Sequence, residues 1–313
     1  MKRYEKFVLE AEKGITFEVS EGTSGELVVR ALNIDKDNDN STTNGSFIAA
    51  DNSINYENPP IPEGYKHVCG EWNNGFVIER CSDGSQFVWI PVGSLDSNGT
   101  LDGEHFSEKF GRRNYMHDEF SDDKFHEDLN GELLKQLESV KKYGGFYISR
   151  YNISKSSAGK PQSVKGAMPL QLLTLKDAKR IASTIEDNEA VKSHLTFGAE
   201  YDSVLAWFIK TEVKTFTKIA KDSSEWGKYY NTEDSPEGVV KTGSRDKWCA
   251  NNIYDFSGNV REYTQEQYKS SCCVIRGGRC FDNGNICPVA YRNVFLPNYG
   301  YGSTGFRAAL YIK

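Results

Sequence analysis

The sequence has no apolar run approaching the roughly 20 residues that cross a bilayer, so a membrane span is not expected. Its opening, Met1-Lys2-Arg3-Tyr4-Glu5-Lys6, continues into Glu10, Glu12 and Lys13 and leaves no apolar signal-peptide centre. Cytoplasmic synthesis is the expectation, with a phage particle or a cell surface left open as destinations. Basic charge is not in excess: 38 Lys and Arg stand against 44 Asp and Glu, a net charge of −6. Nucleic acid and anionic membranes are therefore not expected partners, because both are bound largely through Lys and Arg. There is no CxxC pair among the seven cysteines, Cys69, Cys81, Cys249, Cys272, Cys273, Cys280 and Cys287. Their odd number and spacing fit reduced thiols better than a disulfide framework or a structural zinc site. No G-x-S-x-G, H-E-x-x-H or Walker loop is present.

What is there is an ordinary soluble composition over 313 residues, 38% hydrophobic and 12% aromatic, enough for a proper core. Residues 14–19 and 26–32 alternate like strands around a turn-rich spacer and predict a hairpin. The aspartate-rich stretch 35–41 lacks the glycine and distal glutamate of an EF-hand loop and reads as a solvated linker. Residues 1–60 thus form an N-terminal hairpin and connector, and 61–313 the main domain. In the latter, Phe87 to Val92 is a nearly continuous apolar run, expected as a strand buried on both faces. Residues 93–126 are polar and irregular, a long surface excursion. Apolar spacing predicts helices over about 127–142, 175–185 (after the cap Thr174) and a third after Thr196, with a shorter one near 213–220.

The segment 279–307 lacks Lys, Glu, Gln, Met and Trp, although the rest of the chain is rich in Lys and Glu. It lies between Arg276-Gly277-Gly278 and Gly305-Phe306-Arg307-Ala308-Ala309-Leu310 and has no helical or strand period. It reads as a displayed loop system, where binding or catalysis concentrates.

Asn252 to Thr264, with Asp255, Gly258-Asn259-Val260 and Glu262, resembles the signature of the formylglycine-generating enzyme (sulfatase-modifying factor) superfamily. Further landmarks follow the family's order: Phe87–Val92, Phe146–Tyr151, Ala178, His194–Tyr201, Val274–Gly278 and Gly305-Phe306-Arg307. The resemblance implies an α+β class, an elaborated C-type lectin-like fold with a small twisted antiparallel sheet, helices and extensive loops. Arg276 and Arg307 would then be buried partners of acidic or carbonyl groups, and Gly277-Gly278 would allow tight backbone approach. It implies a structural calcium on Asp255, Gly258, Val260 and Glu262, a set of hard oxygen donors. The family's oxidase branch carries a copper-binding cysteine pair just beyond the double glycine, and soft thiolates suit copper(I). Here Cys280 and Cys287 lie seven apart and Asp282 stands where the first cysteine is expected. The five histidines show no H-x-x-x-H-x-E spacing, so the iron chemistry of another branch is not expected.

The ending is also similar to that of variable proteins of diversity-generating retroelements, which use this lectin-like fold. The five missing residue types are those unreachable when the adenines of an asparagine codon are replaced. The resemblance implies a hypervariable binding surface, of prophage or mobile-element origin, on Arg279, Cys280, Phe281, Asp282, Asn283, Asn285, Ile286, Cys287, Asn293, Val294, Phe295, Leu296, Asn298, Tyr299, Tyr301 and Ser303. Pro288–Arg292, Pro297 and Gly305–Arg307 would be fixed frame. The expected function is binding of a protein or surface ligand, without catalysis and without a required cofactor. A copper-dependent oxidase and a structural phage tail or surface protein are the alternatives.

Overall fold

The computed structural model describes residues 59–92, 112, 113, 115, 116, 125–127, 131–230, 232, 237–269 and 271–313. It also gives the strand backbones within 8–33 and at 94–95 and 101–102. The chain divides into two compact units, Met1–Ser53 and Ile54–Lys313. In the first, β1 (Val8–Ala11), β2 (Ile15–Glu21) and β3 (Leu27–Asn33) form one antiparallel sheet. The expected hairpin is β2 with β3; β1 is only four residues long, too short for alternation to reveal it. The aspartate-rich stretch and most of 93–126 lie outside the described residues.

The second unit holds a six-stranded antiparallel sheet. Its strands are β4 (Tyr65–Cys69), β5 (Val77–Arg80), β6 (Gln86–Pro91), β7 (Gly145–Ser149), β10 (Val191–Leu195) and β15 (Ala308–Ile312), in the order β10-β15-β7-β6-β5-β4. Between β7 and β10 lies the short hairpin of β8 (Ser154–Lys155) and β9 (Pro161–Gln162). Strand β6 explains the continuous apolar run. Val88 and Ile90 enter one core cluster, while Phe87 and Trp89 enter another on the opposite face. With side chains alternating at period two, a strand covered on both sides must be apolar at every position.

The helices are α1 (Glu132–Tyr143), α2 (Leu175–Ala182), α3 (Gly198–Lys210) and the short α4 (Phe216–Ala220). Helix α1 ends at Gly144, whose φ of 83° gives a left-handed C-cap. It begins later than its apolar spacing predicts, because Glu127 is used elsewhere: its carboxylate accepts the free N–H groups of Gly198 and Ala199 that open α3. Thr174 and Asp177 form both hydrogen bonds of a capping box on α2, which ends at Ala182, before the expected 185. Tyr201, Val204, Leu205 and Phe208 of α3 pack into the first cluster, as their spacing predicts.

A second sheet, of β11 (Arg261–Tyr268), β12 (Cys272–Arg276), β13 (Arg292–Phe295) and β14 (Thr304–Phe306), runs in the order β13-β12-β11-β14, with β11 and β14 parallel. Phe125–His126 adds a short strand against β11. The fold is α+β, as expected, with few helices, two antiparallel-dominated sheets and long connections. The segment between β12 and β14 supplies two loops, 277–291 and 296–303, on either side of β13.

Candidate ligand-binding face

The frame beneath these loops is built from buried charge. Arg276, at the end of β12, donates to Asp202 of α3 at 2.5 Å and to Glu266 of β11 at 3.4 Å. Arg292, at the start of β13, meets the same two carboxylates at 2.6 and 2.9 Å. Three strands and a helix are thus tied at one point, and each charge has a partner in a site where an unpaired one would be expensive. Arg307 donates to Glu262 at 2.8 Å and to the carbonyls of Ser149, Arg150 and Tyr254. The buried-partner roles expected of Arg276 and Arg307 are what the geometry shows. Asp202 and Glu266 had no signal in the sequence, since a carboxylate in a helix or strand ordinarily faces water.

Gly277 and Gly278 turn the chain out of β12. Gly277 has φ 71°, and a Cβ on Gly278 would lie 2.4 Å from the carbonyl oxygen of Cys287 and 2.6 Å from the Tyr229 ring. The close approach inferred from the double glycine is present.

Beyond this turn the sixteen residues assigned to the varied surface part into three groups. Phe281 (54% exposed), Ile286 (63%), Leu296 (51%) and Tyr299 (60%) are outermost, with Asn285 and Asn298 beside them. Arg279, Asn283, Asn293, Val294, Phe295 and Tyr301 are half-buried. Phe295 and Tyr301 meet edge to face at 4.5 Å between ring centres, and Asn293 and Val294 sit in the β12–β13 ladder. Cys280, Cys287 and Ser303 point inward, and Asp282 is half-buried but spent on structure. Its carboxylate accepts from Arg261, from the Arg279 backbone at 3.0 Å and from the Arg279 side chain at 3.5 Å.

Arg261 and Arg279 join the two loops. The Arg279 guanidinium lies 5.7 Å from the Phe281 ring centre and donates to the carbonyl of Gly302, while that of Arg261 lies 5.6 Å from Phe295. With Asp282 between them, these charges are turned inward, and the outermost side chains are aromatic, aliphatic or amide. Two residues outside the segment extend the face. Tyr230 (74% exposed) lines a pocket of about 300 Å³ with Phe281, Asn283 and Ile286. Leu172 (72% exposed, φ 58°) sits against Gly300, its N–H donating to the Tyr301 carbonyl at 3.3 Å. Neither was foreseen, because a bias in residue types marks only the segment that carries it.

Solved structures similar to this chain over most of its length include the following three. PvdO from Pseudomonas aeruginosa is 14% identical, with 75% of this chain and 97% of that one covered and a TM-score of 0.45. Treponema denticola variable protein 1 is 13% identical, with coverage of 72% and 84% and a TM-score of 0.28. The Major Tropism Determinant U1 variant is 10% identical, with coverage of 73% and 64% and a TM-score of 0.37. No protein-family model and no curated protein matches the sequence.

The calcium set is placed as follows. Asp255, Gly258, Val260 and Glu262 are all buried. One Glu262 oxygen accepts from Arg307 and from Asn152 at 2.7 Å, and one Asp255 oxygen accepts from the N–H of Gly243 at 2.7 Å. The remaining carboxylate oxygens of the two residues have no partner. A cation reaching them would face the Arg307 guanidinium that already neutralises Glu262. Among the described residues no group of three His, Cys, Asp or Glu side chains is placed to hold a metal.

Burial pushes the thiols of both Cys280 and Cys287 up. Ser303, Lys228 and Arg279 oppose this at Cys280, and Arg261 and Arg279 oppose it at Cys287. Copper(I) is bound by thiolates, so burial works against uptake at these two positions. No helix among the described residues is long and apolar enough to cross a membrane.

Proposed function

We propose that this chain is a non-catalytic binding protein whose loops between β12 and β14 meet a protein or other surface ligand, and that the exposed positions of those loops are diversified by a retroelement of prophage or mobile-element origin. The observation that carries this reading is the match between exposure and residue type. Of the positions assigned to the frame, Pro288, Val289, Ala290, Arg292, Gly305, Phe306 and Arg307 are buried, and Tyr291 and Pro297 are half-buried. Six assigned to variation, Phe281, Asn285, Ile286, Leu296, Asn298 and Tyr299, are outermost. Aromatic anchors among asparagines suit recognition, because they offer large contact area at low conformational cost beside adaptable hydrogen bonding. The lack of charge among the outermost described side chains suits a neutral partner surface and disfavours a polyanion.

The reading needs no cofactor. It is tested by sequencing the 3′ end of the gene across many cells of the source population, together with the DNA downstream. Substitutions concentrated at the six exposed positions, beside a near-copy of the segment and a reverse transcriptase gene, are expected. An invariant segment with no template copy would overturn the diversification.

A further inference from the structure

A cavity of about 930 Å³ that shares no lining residue with the loop face opens between the β8–β9 hairpin and helix α2. Its apolar wall is Leu170, Leu173, Ile181 and Ile185, all packed against the second core cluster and therefore fixed in place. Its cations are of two kinds. Arg80 is fully committed, to both oxygens of Asp83 (2.9 and 2.5 Å) and to Glu186 at 3.3 Å, one guanidinium against two carboxylates, so it adds no free positive charge to the wall. Lys155 and Lys160, at the two ends of the hairpin turn, have no carboxylate partner among the described residues. Arg180, also on the rim, has only a loose contact with Asp177 at 3.6 Å, its side chain 65% exposed.

The result is a concave site with an apolar floor and uncompensated positive charge on its rim, in a chain whose net charge is −6. Two exposed lysines on one rim without acidic partners favour a bound anion. The size and composition are those of a small-molecule site: a largely apolar lining, with a few polar groups that fix orientation.

We propose that this cavity binds a small organic anion, its charged head meeting Lys155 and Lys160 and its ring or short-chain body lying on Leu170, Leu173 and Ile181. This site is separate from the loop face, and neither reading depends on the other.

The test is calorimetric titration of the full chain with three probes of related shape. These are 2-naphthalenesulfonate (body and head), 2-naphthalenesulfonamide (body alone) and inorganic sulfate (head alone). One-to-one binding of the sulfonate is expected, with each of the other two at least about tenfold weaker, since both the desolvated charge and the apolar area contribute. Naphthoate and naphthyl phosphate in the same titration rank the head group. The charge-reversed variant Lys155→Glu/Lys160→Glu, altered only at exposed positions, is expected to weaken the sulfonate at least about tenfold. The variant Phe281→Ala/Tyr299→Ala is expected to leave it unchanged. No binding of the sulfonate, equal binding of the sulfonamide, or undiminished binding by the lysine variant would overturn the proposal. So would loss of binding in the loop-face variant, which would move the probe to the other site.

Discussion

Arg261 and Asp282 face each other in a two-point ion pair, Nε to one carboxylate oxygen and Nη2 to the other at 3.0 Å, with side chains only 10% and 12% exposed. The pair fastens the first loop to β11, and the carbonyl of Asp282 also accepts the N–H of Tyr230 at 2.9 Å. Removing one partner strands the other charge in a largely dry site. Asp282→Ala is therefore expected to lower stability by about 3 kcal/mol, whereas Arg261→Met/Asp282→Leu together should cost much less. Urea unfolding of the three proteins checks this. Equal midpoints for wild type and Asp282→Ala would show that the loop does not rely on the pair.

The division of the segment into outward and inward residues makes a second expectation quantitative. Alanine at Phe281 or Tyr299 should change stability by no more than about 0.5 kcal/mol, because neither fills the core. Randomising Phe281, Asn285, Ile286, Leu296, Asn298 and Tyr299 together should leave most variants folded. The same treatment of Cys280, Asp282, Cys287 and Ser303 should not. Protease resistance of the two displayed libraries measures the difference, and similar survival in both would sink the assignment of an inward frame.

The sequence carried the outward half of this arrangement better than the inward half. Missing residue types and the flanking glycines marked the segment, and the apolar run at Phe87–Val92 marked the doubly buried strand. Asp282 was read as a surface position because it lies within the biased segment, yet its partner Arg261 comes from the motif before it. Glu127 lies at the expected start of α1 but caps α3, since side-chain spacing cannot say which helix a carboxylate serves. Tyr230 and Leu172 reach the face only through tertiary packing, which leaves no local pattern.

Asp255 should leave a signature in the pH dependence. Burial pushes its carboxyl up to about 6, opposed by the Gly243 N–H and Arg307 and reinforced by Glu262. In the unfolded chain it titrates near 4. The native state therefore holds the proton more tightly. The associated stability is fully present below about pH 4 and is lost as pH rises through about 6, a change of roughly 3 kcal/mol. Asn at this position can still accept from Gly243 and stays neutral, and asparagine tolerates the local φ of 53°. Asp255→Asn should thus gain stability relative to wild type between pH 4 and 7, and the melting curves should converge at the acid end. A constant offset across that range would mean that Asp255 is ionised in the fold throughout.

Metal chemistry gives the last expectation. Arg307 supplies the positive charge that Glu262 requires, so calcium and a chelator should each leave the melting temperature of the full chain unchanged, since a ligand stabilises only if it binds the native state. A rise with calcium concentration that vanishes in Glu262→Gln would restore the calcium site. Copper(I) competition with a colorimetric chelator tests the thiols in the same way. Cys280 and Cys287 are buried, burial pushes both thiols up, and no stoichiometric uptake is expected. Tight uptake of one equivalent, abolished in Cys280→Ser/Cys287→Ser but retained in Cys272→Ser, would instead make the loop a copper site. The oxidase would then replace the binder as the reading to pursue.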